Sequence, residues 1–194
     1  MDTINESKLP YSIAIIKPDA HKDILAEMIT KEIEDSGLVI AHRKDMVLSL
    51  EQAEEIYSEH SARPYFWASV KSLQGDKDSN YATVLVVESN EGPCIAKLQE
   101  IKGRSDMGGI RLKYRLLSKQ ELEEQGLFGN ELIEELSKNR LHVPDTDEAC
   151  KQLINKLLTD EEINELKERN PEFYKDLREI VKENKELKML PPVR

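Results

Sequence analysis

The sequence predicts an α+β fold, a four-stranded antiparallel sheet covered by helices, and three observations predict it. Two short apolar runs dense in β-branched residues, Tyr11–Ile16 and residues 81–87, have the length and composition of buried strands. Between and after them, apolar residues recur three and four positions apart, the period of an amphipathic helix. The elements run strand, helix, strand, then helices, then strand, helix, strand, helix. That order is compatible with a split βαβ, ferredoxin-like sheet carrying its helices on one face.

The first strand ends at Lys17-Pro18-Asp19, where proline has no amide hydrogen to give the ladder and leaves Lys17 at the strand's end. Ile24, Leu25, Met28, Ile29 and Ile33 then keep helical spacing up to the stop at Ser36-Gly37. Residues 38–40 begin a second strand that 46–48 extends. Ser49 and Gln52 make a capping box for a helix carrying Ala53, Ile56 and Tyr57. Arg63-Pro64 precedes a helical stretch with Phe66, Val70 and Leu73 that closes near Gly75, and 77–80 is a polar loop. After the strand at 81–87, Pro93 opens a short helix with Ile95, Leu98 and Ile101 inward, ending at Gly103. Residues 105–109 are loop-like and 112–117 are a candidate strand. Ser118 with Glu121 is a second capping box, Asn130 caps a helix through Leu136, and 140–143 form a brief strand before Pro144. Residues 146–158 are helical, with Ala149, Cys150, Leu153, Ile154 and Leu157 on one side.

Residues 1–158 thus read as one domain, with an insertion at about 112–138, followed by a helical C-terminal extension over 159–194. In the extension Thr159 and Glu162 open one helix and Asn170-Pro171 breaks it. Phe173, Tyr174, Leu177, Ile180, Val181 and Leu187 then make an apolar stripe read first as packing on the parent domain, with a partner contact as the alternative.

The 194 residues carry 28 basic and 38 acidic side chains, a net charge of −10 with histidine neutral. That balance argues against nonspecific binding of nucleic acid or an anionic membrane, and still admits a local basic pocket for phosphates. No apolar run approaches the roughly 20 residues of a membrane span, and the first six residues lack the basic-then-apolar layout of a secretory leader. Cys94 and Cys150 make no disulfide framework and fall outside metal-ligand spacing, so they read as reduced, buried thiols. The expectation is a cytoplasmic protein with no nucleic-acid partner and no membrane attachment.

Taken alone, His142 beside its brief strand reads as structural. Its companions change that. Lys17 sits at a strand end, Tyr57, Arg63 and Tyr65 fall across a helix-to-helix corner, and Arg111 follows a glycine pair. An acceptor imidazole among cations, with an aromatic face nearby, suits nucleotide-dependent phosphoryl transfer through a phosphohistidine. The cations neutralise oxygens of the transferring group, and a ring stacks on the base. The sequence has neither a P-loop nor a kinase Gly-rich loop. His21, His42 and His60 have no metal spacing and read as surface or packing residues. The glutamate pairs at 54–55, 123–124 and 134–135 read as solvated helix faces, and Trp67 as packing.

From about residue 11 to residue 158 the chain resembles the nucleoside diphosphate kinases. The resemblance lies in Lys17-Pro18-Asp19 after a strand, in Ile56-Tyr57, and in Arg63-Pro64-Tyr65-Phe66 for the family's R-P-F-F. It continues in Gly109-Ile110-Arg111 for G-T-I-R and Asn139-Arg140-Leu141-His142 for N-x-x-H, five elements in family order. It implies an enzyme that moves the γ-phosphoryl group from a nucleoside triphosphate to a nucleoside diphosphate by ping-pong chemistry, with His142 as nucleophile. Lys17, Tyr57, Arg63 and Arg111 would position and neutralise phosphate oxygens. Ser105 stands where the family has threonine, Tyr65 would stack on the base, and Asn139 would hold the sugar. The resemblance also implies Mg²⁺ carried with the nucleotide, no metal held by protein side chains, and a homo-oligomer built from dimers.

The departures bear on the same site. Gln99 stands where the family has a phosphate-binding arginine, with Arg104 as the candidate replacement. The loop before Arg111 is shorter, and about 18 residues are added between Arg111 and Asn139. The family's His-(Gly/Ala)-Ser-Asp becomes His142-Val143-Pro144-Asp145. Leu153 falls where a glutamate accepts a hydrogen bond from the histidine's other ring nitrogen, so Gln152, Asp145 or a backbone carbonyl must orient His142. These changes keep two other readings open: a catalytically weakened nucleotide-binding or interaction module, and a protein-histidine phosphate carrier.

Overall fold

Two strands whose side chains are buried on both sides organise the chain. The computed structural model describes residues 7–103, 108–115 and 117–178. In chain order the elements are β1 (Tyr11–Ile16), α1 (Pro18–Lys22), α2 (Ala26–Asp35), β2 (Val39–Met46), α3 (Leu50–Ile56), a 3₁₀ turn (Ser58–His60) and α4 (Phe66–Gln74). They continue as β3 (Ala82–Glu88), α5 (Cys94–Lys102), α6 (Gly109–Lys113), α7 (Lys119–Glu124), α8 (Gly129–Ser137) and β4 (Leu141–His142). The chain then forms α9 (Asp147–Leu157), α10 (Asp160–Arg169) and α11 (Pro171–Tyr174). The strands make one antiparallel sheet in the order β2-β3-β1-β4, with Ile15 opposite His142.

Every residue of β1 and β3 is buried. Ile13, Ile15, Val84 and Val86 join a core with α3, α4, α9 and α10, whereas Ala14, Ile16, Leu85 and Val87 join a second core with α2 and α5. Helices therefore cover both faces of the sheet, which corrects the one-face expectation. An apolar run without polar alternation, such as 81–87, is what a strand covered on both sides requires.

Local chemistry sets three of the helix starts. Ser49 with Gln52, Ser118 with Glu121 and Thr159 with Glu162 each make both reciprocal bonds of a capping box, satisfying amides that open a helix. Two expectations fail in the inserted region. Residues 112 and 113 are the end of helix α6 rather than the start of a strand, and Leu116 lies outside the described residues. Asn130 sits inside α8, whose N-cap position is Phe128. Trp67 is 58% exposed and packs edge-on against Phe66 instead of filling the core. The insertion leaves a cavity of about 620 Å³ walled by Pro18, Ala68, Leu122 and Leu136, with Arg111 and Asn139 on its lining.

The extension is part of the first core. Ile163, Leu166, Tyr174 and Leu177 are buried in it. The Tyr174 hydroxyl donates to Glu88 Oε1 at 2.8 Å, and its ring lies 4.7 Å from that of Tyr11. Ile180, Val181 and Leu187 fall outside the described residues. Ending the chain at Leu158 removes these four side chains, each worth about 1.5–3 kcal/mol when buried. A large drop in the urea midpoint, or loss of a cooperative transition, is the expected result. A truncated chain with the midpoint of the full chain would refute the assignment.

Candidate active site

β4 is two residues long, yet it lays His142 beside β1 while Lys17 ends β1 from the other direction. Pro18 stops the strand and opens α1, and the Lys17 amide instead donates to the Arg140 carbonyl at 2.8 Å. The Lys17 side chain has no solvent exposure. Its ammonium donates to the Ser137 carbonyl at 2.6 Å, to Asn139 Oδ1 at 3.3 Å and to the Tyr57 hydroxyl at 3.4 Å. Burial draws Lys17 down from its ordinary 10.5 to about 7; Asp19 opposes the shift, and Arg111 and Arg140 add to it.

Arg140 ties this turn down. It is a buried residue with φ +70° whose amide donates to Asp19 Oδ2 at 3.1 Å and whose Nη1 lies 2.6 Å from Asp23 Oδ2. Asn139 and His142, on either side of it, are thereby fixed to α1. Tyr57, the residue closing α3, is buried and meets His142 edge-on with ring centroids 4.8 Å apart.

Arg111 is brought in by a backbone contact that only glycines allow. A Cβ on Gly103 would stand 2.0 Å from the Gly108 carbonyl oxygen, and one on Gly109 would stand 2.6 Å from Gly103 Cα. Both glycines have φ in the left-handed region. The start of α6 is thus seated on the end of α5, bringing Arg111 together with Lys102. Arg111 Nη2 donates to the Leu141 carbonyl at 3.1 Å, and its Nε is buried without a partner.

His142 is 6% exposed and its Nε2 is buried with no hydrogen-bond partner. Desolvation, followed by the charges of Lys102, Lys17, Arg111 and His60, holds the imidazole well below its ordinary 6.5. The ring is therefore neutral at physiological pH, with a lone pair free on one nitrogen. A neutral imidazole ringed by cations suits attack on an anionic, electrophilic group.

The turn after His142 is held from α5. Gln99 Nε2 donates to the Pro144 carbonyl and to Asp145 Oδ1, both at 2.9 Å, and the other Asp145 oxygen lies 3.6 Å from His60 Nε2. Leu153 lines a small pocket with His142, His60, Glu59 and Gln152. Neither expected orienting side chain bonds to His142. Gln152 Nε2 donates to Glu148 Oε1 at 3.0 Å, and Asp145 is engaged by Gln99.

Lys17, Tyr57, Arg111, Asn139 and His142 come together. Tyr65 is 40% exposed, its ring 5.9 Å from that of His60. Arg63 is exposed on the corner before α4, with no side-chain hydrogen bond or ion pair among the described residues. Ser105 and Arg104 lie outside the described residues. Sequence reasoning missed Lys102, and it missed that His60 borders the site rather than serving as a bland surface residue. No motif marks either one; only the folded chain brings them to His142.

Among the described residues, no group of three or more His, Cys, Asp or Glu is placed to hold a metal ion, and no helix is long and apolar enough to cross a membrane. Cys94 and Cys150 are buried and free, and burial pushes both thiols up to about 12, so neither is a thiolate at neutral pH.

The family model "Nucleoside diphosphate kinase" matches residues 11–163. A nucleoside diphosphate kinase of Rhizobium etli is 32% identical over 157 residues, covering 78% of this chain and 95% of that protein. The Thioredoxin domain-containing protein 3 homolog of Ciona intestinalis is 31% identical over 157 residues, and there the chain spans only 20% of the relative's length. Among solved structures, a Borrelia burgdorferi nucleoside-diphosphate kinase with bound vanadate and ADP superposes with a TM-score of 0.60 at 18% identity, covering 78% of this chain and 88% of that one. At that identity the likeness concerns the fold alone.

Proposed function

Because the chain belongs to the nucleoside diphosphate kinase family, we propose that it transfers the γ-phosphoryl group of a nucleoside triphosphate to a nucleoside diphosphate through a phosphohistidine at His142. The observation that carries this reading is the neutral, buried imidazole of His142 among Lys17, Lys102 and Arg111. A ring nitrogen lone pair attacks the γ-phosphorus, and the bond to the β,γ-bridging oxygen breaks with its electron pair leaving on the nucleoside diphosphate. In the second half, a terminal oxygen of the acceptor diphosphate attacks the phosphorus. The P–N bond then breaks and returns its pair to the ring. No net proton transfer is needed, so a neutral imidazole serves in both directions.

Lys17, already bonded to Asn139 and Tyr57, and Arg111, with its Nε unpartnered, supply donors for phosphate oxygens. By the family resemblance, Mg²⁺ would enter with the nucleotide on its phosphate oxygens and supply charge neutralisation there. Two surfaces flank these cations for the nucleoside end: the exposed Tyr65 ring and the apolar wall of the 620 Å³ cavity. The family resemblance assigns the base to Tyr65.

The unpartnered His142 Nε2, in a residue that shares its pocket lining with Leu153, favours a second reading, a nucleotide-binding module whose catalysis has weakened. One experiment separates the two. The purified protein is incubated with γ-labelled ATP and Mg²⁺, then chased with unlabelled GDP. Acid-labile label that leaves as GTP is the expected result. Nucleotide binding by calorimetry without any label selects the weakened module, and neither label nor binding overturns both.

A further inference from the structure

Lys102 is a buried cation at this site that the protein itself answers with one long ion pair. It closes α5, is 8% exposed, and its ammonium makes no hydrogen bond among the described residues. Its nearest carboxylate is Asp145 Oδ1 at 4.0 Å, and that oxygen already accepts from Gln99 Nε2 at 2.9 Å. The second Asp145 oxygen faces His60. Lys17, by contrast, has three oxygen acceptors within 3.4 Å.

A buried ammonium with three donors and one long ion pair is costly unless an anion completes it. Burial and Arg111 both press Lys102 down, to about 8, the direction expected of a cation missing its counter-ion. Its charge, more than that of Lys17 or Arg111, joins burial in holding the His142 imidazole down. The helix explains how it arrives there. Gln99 and Lys102 are three residues apart on α5, hence on one side of it. Gln99 uses its amide to hold the backbone after His142, a task for a neutral donor, and the positive charge stands one turn further on.

We propose that Lys102 is a phosphate-binding residue of the His142 site, its ammonium receiving an oxygen of the terminal phosphoryl group as that group moves to and from the imidazole. The inference rests on the phosphotransfer reading above. It gives the replacement cation to Lys102, the residue before Gly103, where the sequence reading looked to Arg104.

The test compares wild type, Lys102→Gln and Lys102→Arg. The readouts are the rate of His142 labelling by γ-labelled ATP and calorimetric binding of ATP and of ADP. Lys102→Gln removes a buried charge, so its urea midpoint is expected to equal or exceed that of wild type. Labelling is expected to slow by about 10- to 100-fold in Lys102→Gln, the loss of one charge-assisted hydrogen bond, while ADP affinity changes by less than about threefold. Lys102→Arg should recover most of the rate. A labelling rate in Lys102→Gln within twofold of wild type overturns the proposal. So does an arginine variant no faster than the glutamine one, which would assign Lys102 to packing. If wild type binds nucleotide but takes no label, the phosphotransfer reading fails and ATP binding decides. Weaker ATP affinity in Lys102→Gln, with ADP unchanged, then supports the phosphate contact, and equal affinity overturns it. A wild type that binds neither nucleotide overturns both statements.

Discussion

Replacing His142 with glutamine is expected to reduce phosphoryl transfer by about 10⁴-fold or more, the size of effect seen when a covalent nucleophile is lost. Glutamine retains a polar end near the Nε2 position but has no lone pair basic enough to attack phosphorus. The same substitution should alter stability in a direction that a surface histidine would not. The folded-state pKa of His142 is depressed, so below its ordinary 6.5 the unfolded chain takes up a proton that the folded chain refuses. Stability is therefore lost as pH falls from about 6.5, by up to about 1.4 kcal/mol per pH unit until the folded ring itself titrates. In His142→Gln that contribution to the acid slope disappears. Urea unfolding of both proteins at pH 7.5 and 5.5 measures the difference. Identical acid slopes would mean that the imidazole titrates normally in the fold, and the burial argument for its neutrality would fall.

Leu153→Glu is expected to raise turnover by about tenfold or more, the worth of one hydrogen bond to a charged group. Leu153 and His142 line one pocket, and the His142 Nε2 facing away from solvent has no acceptor. A carboxylate there would fix the tautomer and favour the positive charge that develops on the ring as phosphorus is attacked. It would also raise the imidazole's pKa, which an NMR titration of the ring reads independently of rate. The substitution buries a carboxylate among α9 core residues, so a stability loss of about 1–3 kcal/mol should accompany it. Leu153→Gln separates hydrogen bonding from charge and should recover part of the gain. An intact Leu153→Glu protein with a raised ring pKa and unchanged turnover would show that orientation of His142 does not limit the reaction.

What the sequence made legible was chemistry that acts over a few residues. The three capping boxes at Ser49, Ser118 and Thr159, the proline stop after Lys17 and the turn at Gly75 all depend on neighbours within four positions, and all stand in the structure. Helix α6 was hidden because five residues opened by Gly108 and Gly109 show no helical period and look like loop. Coverage of both sheet faces was visible only in the unbroken apolar character of 81–87, which element order alone overlooks. At the site, Lys17, Tyr57, Asn139 and His142 lie in motifs with recognisable order. Lys102 looks like any lysine ending a surface helix. Gln99 acts on carbonyls 44 and 45 positions away, a distance no local pattern reports.

Since His142 hangs on a strand of two residues, the order of events during synthesis follows from the sheet. β1, β2 and β3 have all left the ribosome once residue 88 is out, and their pairings need nothing further along the chain. Lys17, however, finds its acceptors at Ser137 and Asn139, 120 and 122 positions downstream. Contacts of that span close late, after the loops between them have been ordered. A nascent chain thus carries a lysine at the end of its first strand long before His142 exists, and the cluster of Lys17, Asn139 and His142 arises only in a molecule whose synthesis has passed residue 142.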